Sequence, residues 1–222
     1  MFQRATDLQF LRGLARRNGK LCRVACTDTP GQRTGYFITP DVSGDPVATI
    51  TLVDPQSWTV DSLDFDWDVM RPTEVDASQL PLDASSDSGV GGDATTSGIA
   101  PLDARGYPAY AGTSSTLLLT ATADVPEVPQ RTMAALRESN WFVRCRGGTD
   151  VERLGITLRV GTVVSLQGAG SIQSGNWFVW SVRHKITVDA VKLQFTLVRN
   201  AMGPAPSASG LGALAAAVAG AL

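Results

Sequence analysis

Three aspartates at every second position are the first candidate for chemistry in this sequence. Ca²⁺ could take oxygen ligands from these side chains, which are Asp64, Asp66 and Asp68. However, an EF-hand loop needs glycine at its sixth position and glutamate at its twelfth. Here Val69 stands at the sixth position, and the twelfth is not a glutamate. The period of two instead predicts a strand with one buried apolar face. We predict no metal site, and we expect the carboxylates, about 6–7 Å apart, to face solvent or to line a lumen whose like charge repels cargo. The apolar partners in this alternation are Leu63, Phe65, Trp67 and Val69.

Residues suited to acid–base catalysis are few. The chain has one histidine, His184, and no motif supplies it with an acid or nucleophile, so we expect a hydrogen-bonded core or interface residue. A glycoside hydrolase needs two carboxyl groups across a cleft. Glu127, Glu138 and Glu152 are available, but we expect them to flank turns or helix surfaces. The sequence therefore predicts no catalytic residue and no enzyme activity.

The tryptophans could stack on sugars or bases. Alternation along one predicted strand places Trp177 on one face, and a second set of side chains on the other. That second set is Phe178, Trp180, Val182, His184 and Ile186. We expect core packing combined with a subunit contact, with Trp177 and Trp180 as the interface candidates. A free-standing carbohydrate- or protein-binding β-module is the alternative.

Composition narrows the classes of protein further. The 222 residues carry 19 basic and 21 acidic side chains, a net charge of −2, which argues against general nucleic-acid binding. Cys22, Cys26 and Cys145 have neither zinc-site nor disulfide spacing, and we expect buried thiols. Gly91-Gly92 lacks the lysine that a phosphate-binding loop requires, so no cofactor is predicted. No signal-peptide core opens the sequence, and the apolar tail Leu211–Leu222 is shorter than the roughly 20 residues of a membrane span.

The pattern of elements is mainly β with two short helices, an α+β class. Residues 6–19 predict a helix with a Thr6–Gln9 capping box and an Asn18-Gly19 end, and residues 129–139 predict a second helix. Strands are expected at 21–26, 34–39, 48–53, 57–69, 116–121, 141–146 and 156–166, and in a hairpin over 178–197. A Gly147-Gly148 turn is expected to end strand 141–146. The Ser-, Gly- and Asp-rich stretch 83–98 has too few apolar groups to offset the entropy of ordering it.

Three stretches resemble the phage late control D family, whose members are tail-tip hub proteins related to the hub part of the spike proteins in contractile injection and type VI secretion systems. Residues 6–19 (TDLQFLRGLARRNG) resemble the family's first helix and turn. Residues 168–175, 177–184 and 195–200 resemble its closing hairpin, which ends in Arg-Asn. Residues 63–72 (LDFDWDVMRP) are similar to the strand that re-enters its tube-like domain.

This resemblance implies a fold and a domain order. We expect a tube-like β-barrel or sheet domain with a smaller inserted α+β domain. The corresponding ranges are 1–56 for the smaller hub domain with helix 6–17, 57–75 for the re-entering strand, 76–112 for a flexible linker or long loop, 113–202 for the tube-like domain with helix 129–139, and 203–222 for a low-complexity apolar tail.

The resemblance also implies a function and a set of partners. We expect a structural baseplate hub component that connects tail tube to spike, in a phage tail or contractile injection particle assembled in the bacterial cytoplasm. The implied partners are two further copies in a trimer, the tube protein, the spike protein and other baseplate proteins, with no specific nucleic acid. The family helix normally follows a first tube-like domain, whereas here it begins at residue 6. We therefore expect part of a larger hub, or a hub split between two chains. A tail-associated cell-wall hydrolase is the enzyme-class alternative.

Overall fold

A computed structural model describes residues 6–68, 70–79, 90–94, 97–103, 105–106, 116–120 and 127–203. Within these ranges the helices are α1 (Asp7–Arg17), α2 (Val128–Ser139), α3 (Val151–Leu154) and α4 (Gly170–Gln173), with a 3₁₀ turn at Pro55–Ser57. The strands are β1 (Leu21–Cys26), β2 (Arg33–Ile38), β3 (Thr49–Thr51), β4 (Ser62–Trp67), β5 (Glu74–Gln79), β6 (Val90–Ala94), β7 (Arg105–Gly106), β8 (Thr116–Thr120), β9 (Val143–Asp150), β10 (Val163–Gln167), β11 (Gly175–Ile186), β12 (Val191–Arg199) and β13 (Ala201–Met202). The mainly β, α+β class is confirmed, with two additional single-turn helices. None of the helices described is long and apolar enough to span a bilayer.

The chain folds into two compact units, each built from separated stretches. Unit 1 comprises Met1–Asp41, Val69–Ile99 and Ala111–Trp141, and unit 2 comprises Val42–Asp68, Ala100–Tyr110 and Phe142–Leu222. Helix α2 therefore lies in unit 1, although the sequence grouped residues 129–139 with 113–202. The apolar tail expected at 203–222 falls, beyond Gly203, outside the described residues.

Helix α1 of unit 1 begins and ends as its sequence predicts. The Thr6 hydroxyl accepts from the Gln9 amide at 3.4 Å, and the Gln9 side chain accepts from the Thr6 amide at 3.3 Å, which is the predicted capping box. Gly19 follows with a left-handed φ of +61°. A Cβ at Gly19 would lie 3.0 Å from the Ala134 backbone, so glycine permits the end of α1 to approach α2 closely.

The sheet of unit 1 has the strand order β6-β5-β8, and α2 packs against it. Val128, Thr132 and Leu136 recur at four-residue steps on α2 and are buried, and Leu136 packs with Val75 of β5. Burial of this face explains why α2 belongs to unit 1. Strands β1 and β2 form a separate antiparallel hairpin in which Leu21 faces Ile38 across the ladder.

Part of the predicted linker 76–112 is structured. Strand β6 pairs antiparallel with β5 through backbone hydrogen bonds, which do not require large side chains. Beyond it, four residues are buried: Ser97, Ile99, Leu102 and Asp103. The low apolar content of 83–98 therefore did not prevent strand formation at 90–94. Residues 80–89, 95–96, 104 and 107–112 lie outside the described residues.

Unit 2 is organised around one six-stranded sheet with the order β3-β10-β11-β12-β9-β4. All its neighbours are antiparallel except β3 and β10. β12, predicted as the second strand of the 178–197 hairpin, shows alternating burial: Leu193, Phe195 and Leu197 are buried while Lys192 and Gln194 are exposed. The predicted hairpin closure is confirmed as well, and the Thr187 amide donates to the Ala190 carbonyl at 2.9 Å.

The glycine pair expected to end strand 141–146 lies inside β9. Gly147 faces Phe195 on β12 and Leu63 on β4, so it is a central residue of the sheet. A Cβ at Gly147 would lie 2.6 Å from both side chains, whereas at Gly148 the nearest atom would be 3.7 Å away. The predicted turn is therefore wrong, because Gly147 makes room for two core side chains instead of bending the chain.

A β-bulge overturns the predicted face assignment on β11. Phe178 faces Val198 and Val179 faces Leu197, but the next pair is Ser181 with Thr196, so Trp180 is the extra residue. The bulge changes the alternation, and Phe178 therefore lies on the face opposite to Val182 and His184. Strict period-two reasoning had placed all three together.

Candidate functional site

The predicted acidic row is accompanied by arginines on the neighbouring strand. Asp64 and Asp66 are exposed on β4, and the register places Arg146 and Arg144 of β9 directly opposite them. Arg146 Nη1 lies 3.9 Å from Asp64 Oδ2. This face therefore carries cross-strand pairs of opposite charge rather than a purely acidic row, and exposed pairs of this kind contribute little stability. Its position along a lumen stays a prediction.

Asp68 lies just beyond β4, where its amide donates to the Phe142 carbonyl at 2.9 Å. Its side chain is exposed, like those of Asp64 and Asp66. Among the described residues, no group of three histidine, cysteine or acidic side chains is arranged to hold a metal ion.

Trp177 is a core residue of unit 2. It is 0% exposed, its Nε1 donates to the Gln173 carbonyl at 2.9 Å, and its ring lies 5.8 Å from that of Phe65. Trp177 therefore packs in the core of the unit, and no part of its side chain is accessible in the folded chain. Trp180, the bulge residue, is 37% exposed and stays a candidate. His184 lies exposed on β11 opposite Leu193, not in the core.

The glutamates proposed for a hydrolase are not brought together as a pair. Glu127 and Glu138 lie at opposite ends of α2, about 16 Å apart at 1.5 Å per residue, and glycosidase carboxyls are separated by about 5–9.5 Å. Each binds an arginine of α1: Arg16 Nε donates to Glu138 at 3.0 Å, and Arg17 lies 3.3 Å from Glu127. These carboxylates fasten the two helices together. Glu152 lies in α3 of the other unit.

A buried polar cluster that the sequence analysis did not identify lies at the end of β12. Arg199 is 0% exposed and its Nη2 lies 3.1 Å from Asp103 Oδ2, which is also buried. The guanidinium donates to the carbonyls of Ile172, Gln173, Ser174 and Gly203 as well, and it lies 5.5 Å from the Trp177 ring centroid. Burial lowers the pKa of Arg199 to about 10, and the Asp103 carboxylate acts in the opposite direction. The side chain therefore stays charged at neutral pH.

Asn200 extends this cluster to the preceding segment. Its Oδ1 accepts from the Leu102 amide and its Nδ2 donates to the Ala100 carbonyl, both at 2.9 Å. The Arg-Asn pair thus holds residues 100–103 and the 172–174 turn against the sheet. The signal was present in the sequence: an Arg-Asn pair directly after an apolar strand is too polar for its position unless both side chains have buried partners.

Cys145 occupies the core face of β9. Burial, with a smaller contribution from Asp64, raises the pKa of its thiol to about 12. Cys22 is half-buried and Cys26 is exposed on β1, so the expectation of buried thiols is wrong for Cys26.

Arg137 performs a fastening role in unit 1 similar to that of Arg199 in unit 2. Its Nε donates to the Ser97 carbonyl at 2.6 Å, and its side chain passes Gly19 and Gly98, both of which have left-handed φ values. Side chains at those glycines would collide with the arginine. Gly19, which ends α1, therefore also leaves the space that the Arg137 side chain occupies.

Two solved structures described as tail proteins share this fold. The 43 kDa tail protein of prophage MuSo2 from Shewanella oneidensis matches 90% of this chain with a TM-score of 0.60 and 14% identity. A tail protein from Neisseria meningitidis MC58 matches 90% with a TM-score of 0.57 and 15% identity. This chain spans 56% of the length of each. No family model and no curated protein matches the sequence.

Proposed function

We propose that the chain is a structural component of a phage tail or a phage-tail-like contractile injection apparatus, at the baseplate hub between tail tube and spike. The observation that carries the proposal is the fold shared with two tail proteins over 90% of the chain. The residues that carry the family resemblance support it. Gly19 permits the close approach of α1 to α2, and Arg199 and Asn200 bind the buried segment 100–103. The proposed location is the tip of the tail in the assembled particle.

The six-stranded sheet offers a physical basis for assembly. In the described residues β3 and β4 are the end strands of this sheet. The β10 strand pairs with β11 at residues 175–178, so the edge of β11 at residues 181–186 extends past the end of β10. Sheet edges recruit further strands unless they are covered. We propose that three copies close around an axis through these edges, since closed symmetry is usual for homo-oligomers.

In this arrangement the remaining site candidates have proposed roles. Trp180, half-exposed at the bulge next to the free edge of β11, would contact the neighbouring copy. The Asp64/Arg146 and Asp66/Arg144 pairs would face the lumen as a hydrated wall with balanced charge. The tube protein, the spike protein and a chain supplying another tube-like domain are the proposed partners.

Light scattering after size-exclusion chromatography tests the assembly. The full chain should elute at about 70 kDa, three times its mass of 23.4 kDa. Trp180→Asp should shift it to the monomer mass, because an aspartate cannot be desolvated in an interface at low cost. Ile156→Asp is the matched control, since Ile156 is 36% exposed in the same unit, and it should leave the trimer intact. A wild-type monomer, or equal effects of both variants, would contradict the trimer.

Immunogold labelling of purified tail particles tests the location. An antibody against this chain should label the tip, where tube and spike meet. Label distributed along the tube or sheath would contradict the hub while supporting a tail protein. Particles without label would contradict both.

A further inference from the structure

The β1–β2 hairpin of unit 1 exposes apolar side chains and strand edges. In the described part of the chain it is a separate two-stranded sheet, so each strand has one edge that pairs with no other strand. Two-stranded hairpins are marginal by themselves, and their outer edges can accept another strand. Its apolar side chains are unusually accessible: Val24 is 59% and Phe37 37% exposed, and they share a face with Cys22 and Cys26.

The charge on this hairpin specifies the chemistry of the partner. From Lys20 to Ile38 there are three basic residues, Lys20, Arg23 and Arg33, against the single acid Asp28, a net charge of +2 in a chain whose total is −2. Two of the cations lie over rings of the hairpin itself: Lys20 Nζ is 5.4 Å from the Phe37 centroid, and Arg23 is 4.2 Å from that of Tyr36. The exposed apolar face is therefore bordered by positive charge.

We propose that this hairpin binds an extended, acidic segment of another protein, which adds a third strand to β1–β2. On the face that it shares with Val24 and Phe37, that segment would carry apolar side chains at its centre, and carboxylates at its two ends beside Lys20 and Arg33. Strand addition gains main-chain hydrogen bonds, while the charges set specificity and the rate of association. A nucleic acid fits less well, because the hairpin's own cations occupy one side of the aromatic rings that bases would stack on.

The probe is a labelled synthetic peptide in which every second residue reads glutamate, valine, valine, glutamate, with serine or threonine between them, so that all four lie on one face of the added strand. It is titrated against the full chain by fluorescence anisotropy. Arg33→Glu should weaken binding about tenfold or more, and rising salt should weaken it further. Val24→Lys should also weaken it, because it removes apolar contact. The matched control is Arg153→Glu, the same charge change at an exposed site of unit 2 outside the proposed trimer edge, which should leave the affinity unchanged. Hydrogen exchange should show new protection of amides in β1 or β2.

Three results would overturn the proposal: no binding of the acidic peptide, equal binding of a peptide in which lysine replaces glutamate, or a loss of affinity in Arg153→Glu as large as in Arg33→Glu. A single-stranded oligonucleotide that binds more tightly than the peptide and loses affinity in Arg33→Glu would also overturn it in favour of nucleic acid. Because the trimer is proposed to close through unit 2, none of these outcomes changes the expected mass of the assembly.

Discussion

Removal of the Arg199 guanidinium is the sharpest test of how unit 2 is held together. In Arg199→Met the aliphatic stem is largely retained, but the buried Asp103 carboxylate loses the guanidinium as its counter-ion, which costs about 3–5 kcal/mol. The carbonyls of Ser174 and Gly203 also lose a donor, at roughly 1 kcal/mol each. The carbonyls of Ile172 and Gln173 still accept from the Gly203 amide and from Trp177 Nε1 respectively. We expect a loss of at least ~4 kcal/mol, a large share of the about 5–15 kcal/mol that stabilises a typical domain.

Urea unfolding followed by tryptophan fluorescence measures this loss. Four of the five tryptophans, Trp58, Trp67, Trp177 and Trp180, belong to unit 2, so the signal reports chiefly on that unit. The control is Arg153→Met, which removes an exposed pair with Asp61 in the same unit and should cost less than about 1 kcal/mol.

The partner substitution separates charge from packing. Asp103→Asn keeps the shape of the side chain but leaves Arg199 without its counter-ion, so we again expect a loss of several kcal/mol, on the order of 3. If Arg199→Met or Asp103→Asn destabilises the protein no more than Arg153→Met does, the Arg199 cluster does not hold residues 100–103 and 172–174 in place, and the reasoning is refuted.

Three further outcomes are expected. Gly147→Ala should destabilise unit 2 by about 1–3 kcal/mol through overpacking, while Gly148→Ala should be neutral or slightly stabilising in the same urea titration; equal effects would contradict the proposed crowding. The pKa of Cys145 is about 12 when folded, against an ordinary value of 9. Its contribution to stability is therefore complete well below pH 9 and is lost as the pH rises toward 12, by about 1 kcal/mol between pH 9 and 10 and by up to ~1.4 kcal/mol per pH unit above that. Cys145→Ala should remove that part of the alkaline loss, and an unchanged slope would count against it. Iodoacetamide labelling read by mass spectrometry should modify exposed Cys26 first and Cys145 only on unfolding, and early labelling of Cys145 would show that β9 opens in the native state.

Local signals in the sequence were reliable where they act within a few residues. The Thr6–Gln9 capping box and the left-handed Gly19 define α1 because both depend on neighbouring backbone groups. The alternation of Leu193, Phe195 and Leu197 identified β12 for the same reason.

Signals that depend on distant partners were misinterpreted. Gly147 was taken as a turn residue because the side chains that require its small size, Leu63 and Phe195, are far away in sequence. The bulge at Trp180 places Phe178 on the face opposite to Val182 and His184, and no local sequence pattern predicts the bulge. Trp177 was expected both in core packing and in a subunit contact, because an aromatic residue in a strand fits an interface and a core equally well.

The candidate site was only partly predictable. The carboxylates of Asp64 and Asp66 were expected to be exposed, and they are, but the arginines opposite them come from β9, about eighty residues later in the chain. The polarity of Arg199 and Asn200 at the end of an apolar strand indicated buried partners but not which ones, because the Asp103 carboxylate and the backbone carbonyls come from segments distant in the sequence.

The alternation of unit 1 and unit 2 stretches along the chain has a consequence during synthesis. Strand β4 leaves the ribosome about 75 residues before its partner β9, a delay of about 4–15 s at 5–20 residues per second. Throughout that delay the apolar side chains of β4 have no β9 to pack with and can associate with other unfolded chains. These side chains are Leu63, Phe65 and Trp67. Asp64 and Asp66 alternate with these apolar residues, and their charges reduce aggregation of nascent chains. The carboxylates that are exposed on β4 in the folded protein therefore also act before the sheet has formed.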